Sequence, residues 1–179
     1  DPDYLPIRLD LQGVDEKWHT SQSAFAEIFV RMTMDVLELR EPEIHAGLLK
    51  VSEVSDMNAL SKWITRLAHL SSRKLVLLID EVDASSNFDA FLRFLGMLRL
   101  KFLDRTSPEN RTFHSVVLAG VHDIKSLKLK VRDDQIAQYN SPWNIASDFK
   151  VEMSFRPHEI APMLVEYAEA EGVEIDVPA

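Results

Sequence analysis

Hydrophobic and polar residues alternate near the N-terminus of the chain, as they do in a strand with one buried face. The alternation spans residues 5–11 and leaves Arg8 and Asp10 on the polar side. Three further segments are strand candidates: residues 75–79, 115–121 and 149–153. The first two of these are rich in apolar residues, which is typical of strands inside a sheet.

Between these candidates, apolar residues recur every three or four positions, which is the spacing of an amphipathic helix. Thr20 or Ser21 is available to cap the first helix, and Pro157 and Gly172 suit the start and end of the last. In the third helix, Lys101 is expected to lie away from the apolar stripe. The predicted helices are residues 20–39, 60–70, 88–102 and 157–171.

In two segments the hydrophobic residues follow neither the spacing of a strand nor that of a helix. Residues 41–57 contain a proline and a glycine, and we expect a connection with a short helical or strand-like piece there. Residues 104–112 are polar and are expected to form a surface loop.

Strands separated by long helices predict right-handed crossover connections and a mainly parallel sheet covered on both faces. The predicted fold class is therefore α/β, with three α/β/α layers. Ligands of such sheets bind at the carboxyl ends of the strands, where Asp80, Glu81 and His122 would gather.

Composition narrows the class of protein. The chain has 179 residues, of which 46% are hydrophobic and 27% charged, and this suits one domain with a sizeable core. It contains no cysteine and no apolar run long enough to span a membrane, so we expect a soluble protein of the cytoplasm. The formal charge of -9 disfavours nucleic acid as a partner of this domain.

The acidic pair Asp80–Glu81 ends the apolar run of residues 75–79. One carboxylate there could hold a magnesium ion and the other could polarise a water, as nucleotide hydrolysis requires. The structural alternative is a solvated strand end or a helix cap. His122 has a similar alternative as a hydrogen-bonded loop histidine. No two histidines are three or four residues apart on one predicted helix, which disfavours a zinc site.

Three segments in order carry a resemblance to a known family: KLVLLIDEVD (74–83), SVVLAGVHDIKSL (115–127) and the stretch that begins SPWNI (141–145). Together they resemble the AAA-like P-loop ATPase domains of bacteria that are related to the signal-transduction ATPases with numerous domains. The resemblance implies that Asp80 holds magnesium, that Glu81 orients or deprotonates the attacking water, and that His122 occupies the position of a residue that senses the terminal phosphate of ATP.

One element of that family is not found. The phosphate-binding motif G-x-x-x-x-G-K-[ST] does not occur in the chain. The resemblance therefore implies a domain truncated at its N-terminus, with a core of about residues 4–156 and a terminal helix of about residues 157–171. The strand that carries the motif would lie between residues 115–121 and 149–153. Without it we expect weak ATP binding, and we expect closure, a swapped strand or another chain to satisfy the open edge.

Two functions remain open. The first is ATP binding and hydrolysis in the full-length protein, with magnesium, driving a regulatory or signalling switch through fused domains, protein partners or self-association. The second is a protein-interaction domain that retains the P-loop fold without hydrolysing ATP.

Overall fold

The computed structural model describes residues 2–12, 15, 18, 21–50, 53–82, 89–120 and 154–175. The chain divides into two compact units, Asp1–Ile145 and Ala146–Ala179. The described part of the first unit has an α/β fold with a three-stranded parallel sheet, and that of the second unit contains one helix. The single domain over residues 1–179 and the third layer stay predictions.

The helices and strands follow the predicted order. A short 3₁₀ helix, Pro108–Asn110, lies within the predicted loop of residues 104–112. The strand candidate of residues 149–153 lies outside the described residues. The elements are β1 (Tyr4–Asp10), α1 (Gln22–Arg40), α2 (Pro42–Leu48), α3 (Met57–Leu70), β2 (Lys74–Asp80), α4 (Asp89–Leu103), β3 (Ser115–Leu118) and α5 (Pro157–Glu171).

The sheet has the strand order β1-β2-β3, and both pairs of neighbours are parallel. Leu77 is the register partner of Ile7 on one side and of Val116 on the other. Alternate residues of β1 and β2 are buried and share one face of the sheet, while the intervening residues are partly exposed. The parallel arrangement confirms that part of the predicted fold, and it brings the carboxyl ends of all three strands to one edge.

The core of the first unit includes an aromatic cluster between α1 and α4. The ring of Phe94 lies 5.2 Å from that of Phe25 and 4.9 Å from that of Phe29, measured between centroids. All three side chains are buried in the same hydrophobic cluster as the inward face of β1 and β2. Tilted ring pairs at these distances add to the stabilisation from apolar burial.

Hydrogen bonds and backbone conformation at the helix ends explain the observed boundaries, and α3 begins at Met57, three residues before its predicted start. Ser21, one of the two predicted caps, accepts a hydrogen bond from the Ala24 amide at 3.1 Å. Asp56 does the same at α3, through Oδ1 and the Ala59 amide at 2.7 Å. At the end of α5, Gly172 has a φ of 65°, a left-handed conformation that glycine adopts without steric cost. None of the described helices is both long and apolar enough to cross a membrane.

The position of Lys101 differs from the prediction. It was expected away from the apolar stripe of α4, but its side chain is buried, with 3% of its surface exposed. Its position, three residues after Leu98 and seven after Phe94, continues the buried stripe, and its charge misled the interpretation. Lys101 Nζ donates a hydrogen bond to Thr65 Oγ1 at 2.6 Å, and burial lowers the pKa of the ammonium group.

Candidate functional site

The candidate site lies at the carboxyl edge of the sheet, where β1 ends at Asp10 and β2 ends at Asp80. These two residues are register partners. Hydrogen bonding continues past the strand ends: the Leu11 amide donates to the Asp80 carbonyl at 3.2 Å, and the Val82 amide donates to the Ala119 carbonyl at 3.1 Å. The backbone from Asp80 to Val82 is therefore held from both neighbouring segments.

Both carboxylate oxygens of Asp80 have partners. Oδ2 accepts a hydrogen bond from Arg8 Nη2 at 2.9 Å, and Oδ1 accepts one from the Glu81 amide at 3.1 Å. Because 67% of the Arg8 side chain and 39% of the Asp80 side chain are exposed, solvent screens this ion pair and its contribution to stability is about 1 kcal/mol or less. Its main structural effect is to tie β1 to β2 beside the turn.

Glu81 has a backbone conformation that side-chain-bearing residues seldom adopt. Its φ is 55°, the one positive value at a non-glycine position among the described residues. A left-handed L-residue costs roughly 1–2 kcal/mol, and such strain is enriched at functional sites.

Asp10 and Arg8 are parts of this edge that the sequence analysis did not assign to the site. Asp10 Oδ1 accepts a hydrogen bond from the Gln12 amide at 2.8 Å, and Asp10 is the register partner of Asp80. The signal was present in the alternation, which put Arg8 and Asp10 on one polar face. Only the parallel register of β1 against β2 shows that this face meets Asp80.

The structure thus places two of the three predicted site residues, Asp80 and Glu81, at the carboxyl edge. His122 lies outside the described residues, and its role stays a prediction. The segment that leads towards His122 reaches the same edge, because the Ala119 amide donates to the Ile79 carbonyl at 2.9 Å.

The chemistry of these side chains fits magnesium. Carboxylates are hard oxygen donors, and magnesium sites in nucleotide enzymes commonly use one or two of them together with water and phosphate oxygens. Within the described part of the chain, no group of three His, Cys, Asp or Glu side chains is arranged to hold a metal on its own.

The fold and this edge define an α/β protein with an acidic pair at the end of its central described strand. Searches found no family model, no curated protein and no solved structure that matches the chain.

Proposed function

We propose that the chain belongs to an ATPase module of the AAA-like P-loop type, with three α/β/α layers, acting in the cytoplasm of bacteria. The observation that carries the proposal is the acidic pair Asp80–Glu81 at the end of β2, flanked in parallel by β1 and β3. In parallel α/β sheets this edge is where ligands bind.

The proposed roles of the two carboxylates are those that the resemblance to AAA-like ATPase domains implies. Asp80 holds magnesium through water, and Glu81 orients or deprotonates the water that attacks the terminal phosphate. The metal ion, when bound, neutralises charge on the phosphate oxygens. His122 is proposed to sense that phosphate. Hydrolysis would then switch fused domains or partner proteins.

Arg8 gives this site a cation that already pairs with Asp80. In the absence of nucleotide, the guanidinium group offsets the repulsion between the register partners Asp10 and Asp80. A bound cation would compete with Arg8 for the same carboxylate.

Phosphate binding needs more than these residues supply. Backbone amides and a lysine of the motif G-x-x-x-x-G-K-[ST] normally attract the phosphates, and the 179 residues do not contain that motif. We propose that the 179-residue chain alone binds ATP weakly. A test of hydrolysis therefore needs the full-length gene product.

The test is Glu81→Gln in the full-length protein, which removes the proposed base and keeps the size of the side chain. We expect ATP turnover to fall by about 10²-fold or more, while nucleotide binding is retained. Glu38→Gln is the matched control, since Glu38 is exposed and lies one helical turn before Glu41, which pairs with Arg73 at the amino end of β2. Unchanged turnover in Glu81→Gln, measured as phosphate release, would show that the catalytic assignment is wrong.

A non-hydrolysing protein-interaction domain is the second candidate. It is favoured by one observation: both oxygens of Asp80 already serve the structure, one through Arg8 and one through the Glu81 amide. Full-length protein that carries no phosphate-binding motif and shows no ATP turnover would support this candidate and contradict the first.

A further inference from the structure

Basic side chains gather at the opposite, amino edge of the sheet. Arg73 and Lys74 lead into β2, Arg105 and Arg111 lie between α4 and β3, and His114 precedes β3. All five line one cavity of about 210 Å³. They come from two separate segments of the chain.

The parallel sheet explains why these segments meet. The amino ends of parallel strands share one edge, so the residues that precede β2 and β3 are neighbours. A direct hydrogen bond fixes this approach: the His114 amide donates to the Leu75 carbonyl at 2.8 Å. The cavity is thus a consequence of the strand register.

The cavity is lined by basic side chains, although the chain as a whole is acidic. The formal net charge is -9, yet none of the described residues that line the cavity is acidic. Arg73 pairs with Glu41 outside the cavity, and Arg105 donates to the Phe102 carbonyl at 2.6 Å. Each guanidinium has five N–H donors, so these contacts leave several donors on each arginine for a ligand.

Thr112 also lines the cavity, but its hydroxyl oxygen is buried and has no hydrogen-bond partner among the described residues. Because that oxygen has almost no accessible surface, a ligand in the cavity does not contact it. The basic side chains are therefore the groups that would bind an anion there.

We propose that this cavity binds the phosphate group of a small ligand, either as inorganic phosphate or as a phosphate ester. The volume favours a small anion, because sites for drug-sized ligands usually enclose about 300 Å³ or more. The cavity is separate from the acidic site. Seven residues of β2 span roughly 20 Å, so one phosphate cannot contact both edges.

The experiment is a calorimetric titration of the 179-residue chain with inorganic phosphate and, in a second arm, with phenyl phosphate, at constant ionic strength. We expect saturable binding in at least one arm. Stronger binding of inorganic phosphate identifies the free anion, and stronger binding of phenyl phosphate identifies an ester.

Two arginine variants test the charge. Arg105→Gln and Arg111→Gln should each weaken binding about tenfold, because each removes charge-assisted hydrogen bonds. Arg66→Gln is the matched control: it makes the same change in net charge at an exposed residue of α3 that does not line the cavity. An equal loss in Arg66→Gln would show general charge attraction and overturn the proposal.

Thr112→Val separates binding from folding. It removes a buried hydroxyl that the ligand does not contact, so phosphate affinity should stay the same while the free energy of unfolding stays the same or rises. The free energy of unfolding of every variant is measured by urea denaturation. Absence of saturable binding in both arms, or unchanged affinity in both arginine variants, would overturn the proposal.

Discussion

Glu81 combines a strained backbone with the candidate catalytic carboxylate. At a φ of 55°, the Cβ atom itself is costly, whatever the rest of the side chain does. The cost is tolerated because hydrogen bonds at Asp80 and Val82 hold the turn on both sides. Strain that the surrounding structure maintains beside an acidic pair is an arrangement that function often requires.

Comparing glycine with alanine at position 81 measures this strain. Glu81→Gly should be more stable than Glu81→Ala by about 1 kcal/mol, because only glycine adopts this φ freely. At Glu38, an exposed residue inside α1, the order should reverse by a similar amount. Urea unfolding of the four variants gives both differences. If the alanine and glycine variants at position 81 are equally stable, the left-handed backbone conformation of this residue is contradicted.

At the scale of helices and strands, α3 depends on its first turn. The helix carries six buried side chains, among them Trp63 and Ile64, and begins where Asp56 Oδ1 accepts a hydrogen bond from the Ala59 amide. Asp56→Ala leaves that amide without its partner, so we expect a loss of about 1 kcal/mol in the free energy of unfolding. Asp56→Asn keeps an acceptor oxygen and should lose much less. Equal losses in the two variants would mean that the cap contributes little.

Much of the element structure was predictable from the sequence, because hydrophobic spacing reports directly on which face is buried. Residues 41–57 were harder, since a short helix such as α2 leaves too few turns for a period to emerge. Lys101 shows the limit of reading charge as exposure: its partner, Thr65, is on another helix, and no local pattern contains that contact.

The candidate site was predictable only in part, for a reason that lies in the register of the whole sheet. Asp80 and Glu81 were found because they end an apolar run. Assigning Arg8 and Asp10 to the site required knowing that β1 is the neighbour of β2 and that Asp10 is in register with Asp80, which the spacing within either strand does not specify. The basic cavity at the amino edge needs the same register.

For the molecule as a whole, the buried Lys101 makes the free energy of unfolding depend on pH in the alkaline range. Burial lowers its pKa in the folded state below the ordinary value of 10.5. At pH below the lowered pKa, both states are protonated and the cost of burying the charge is fully present. Between the lowered pKa and 10.5, the unfolded chain binds more protons than the folded chain, so stability rises with pH.

Lys101→Met isolates this contribution, since it fills a similar volume without a charge. The variant should be at least as stable as the wild type at neutral pH, and its advantage should shrink as pH rises towards 10.5. Free energies of unfolding of both proteins over a pH series give the difference. If the difference in the free energy of unfolding between the two proteins does not change with pH, the lowered pKa of Lys101 is contradicted.

The contact between Arg8 and Asp80 joins residues 72 positions apart in the sequence. During translation at about 5–20 residues per second, β1 leaves the ribosome several seconds before its neighbour exists. Over that interval the apolar face of β1 lacks the neighbouring strand β2 with which it pairs in the folded protein. Helix α1, the next element in the sequence, is synthesised before β2 and can cover that face earlier.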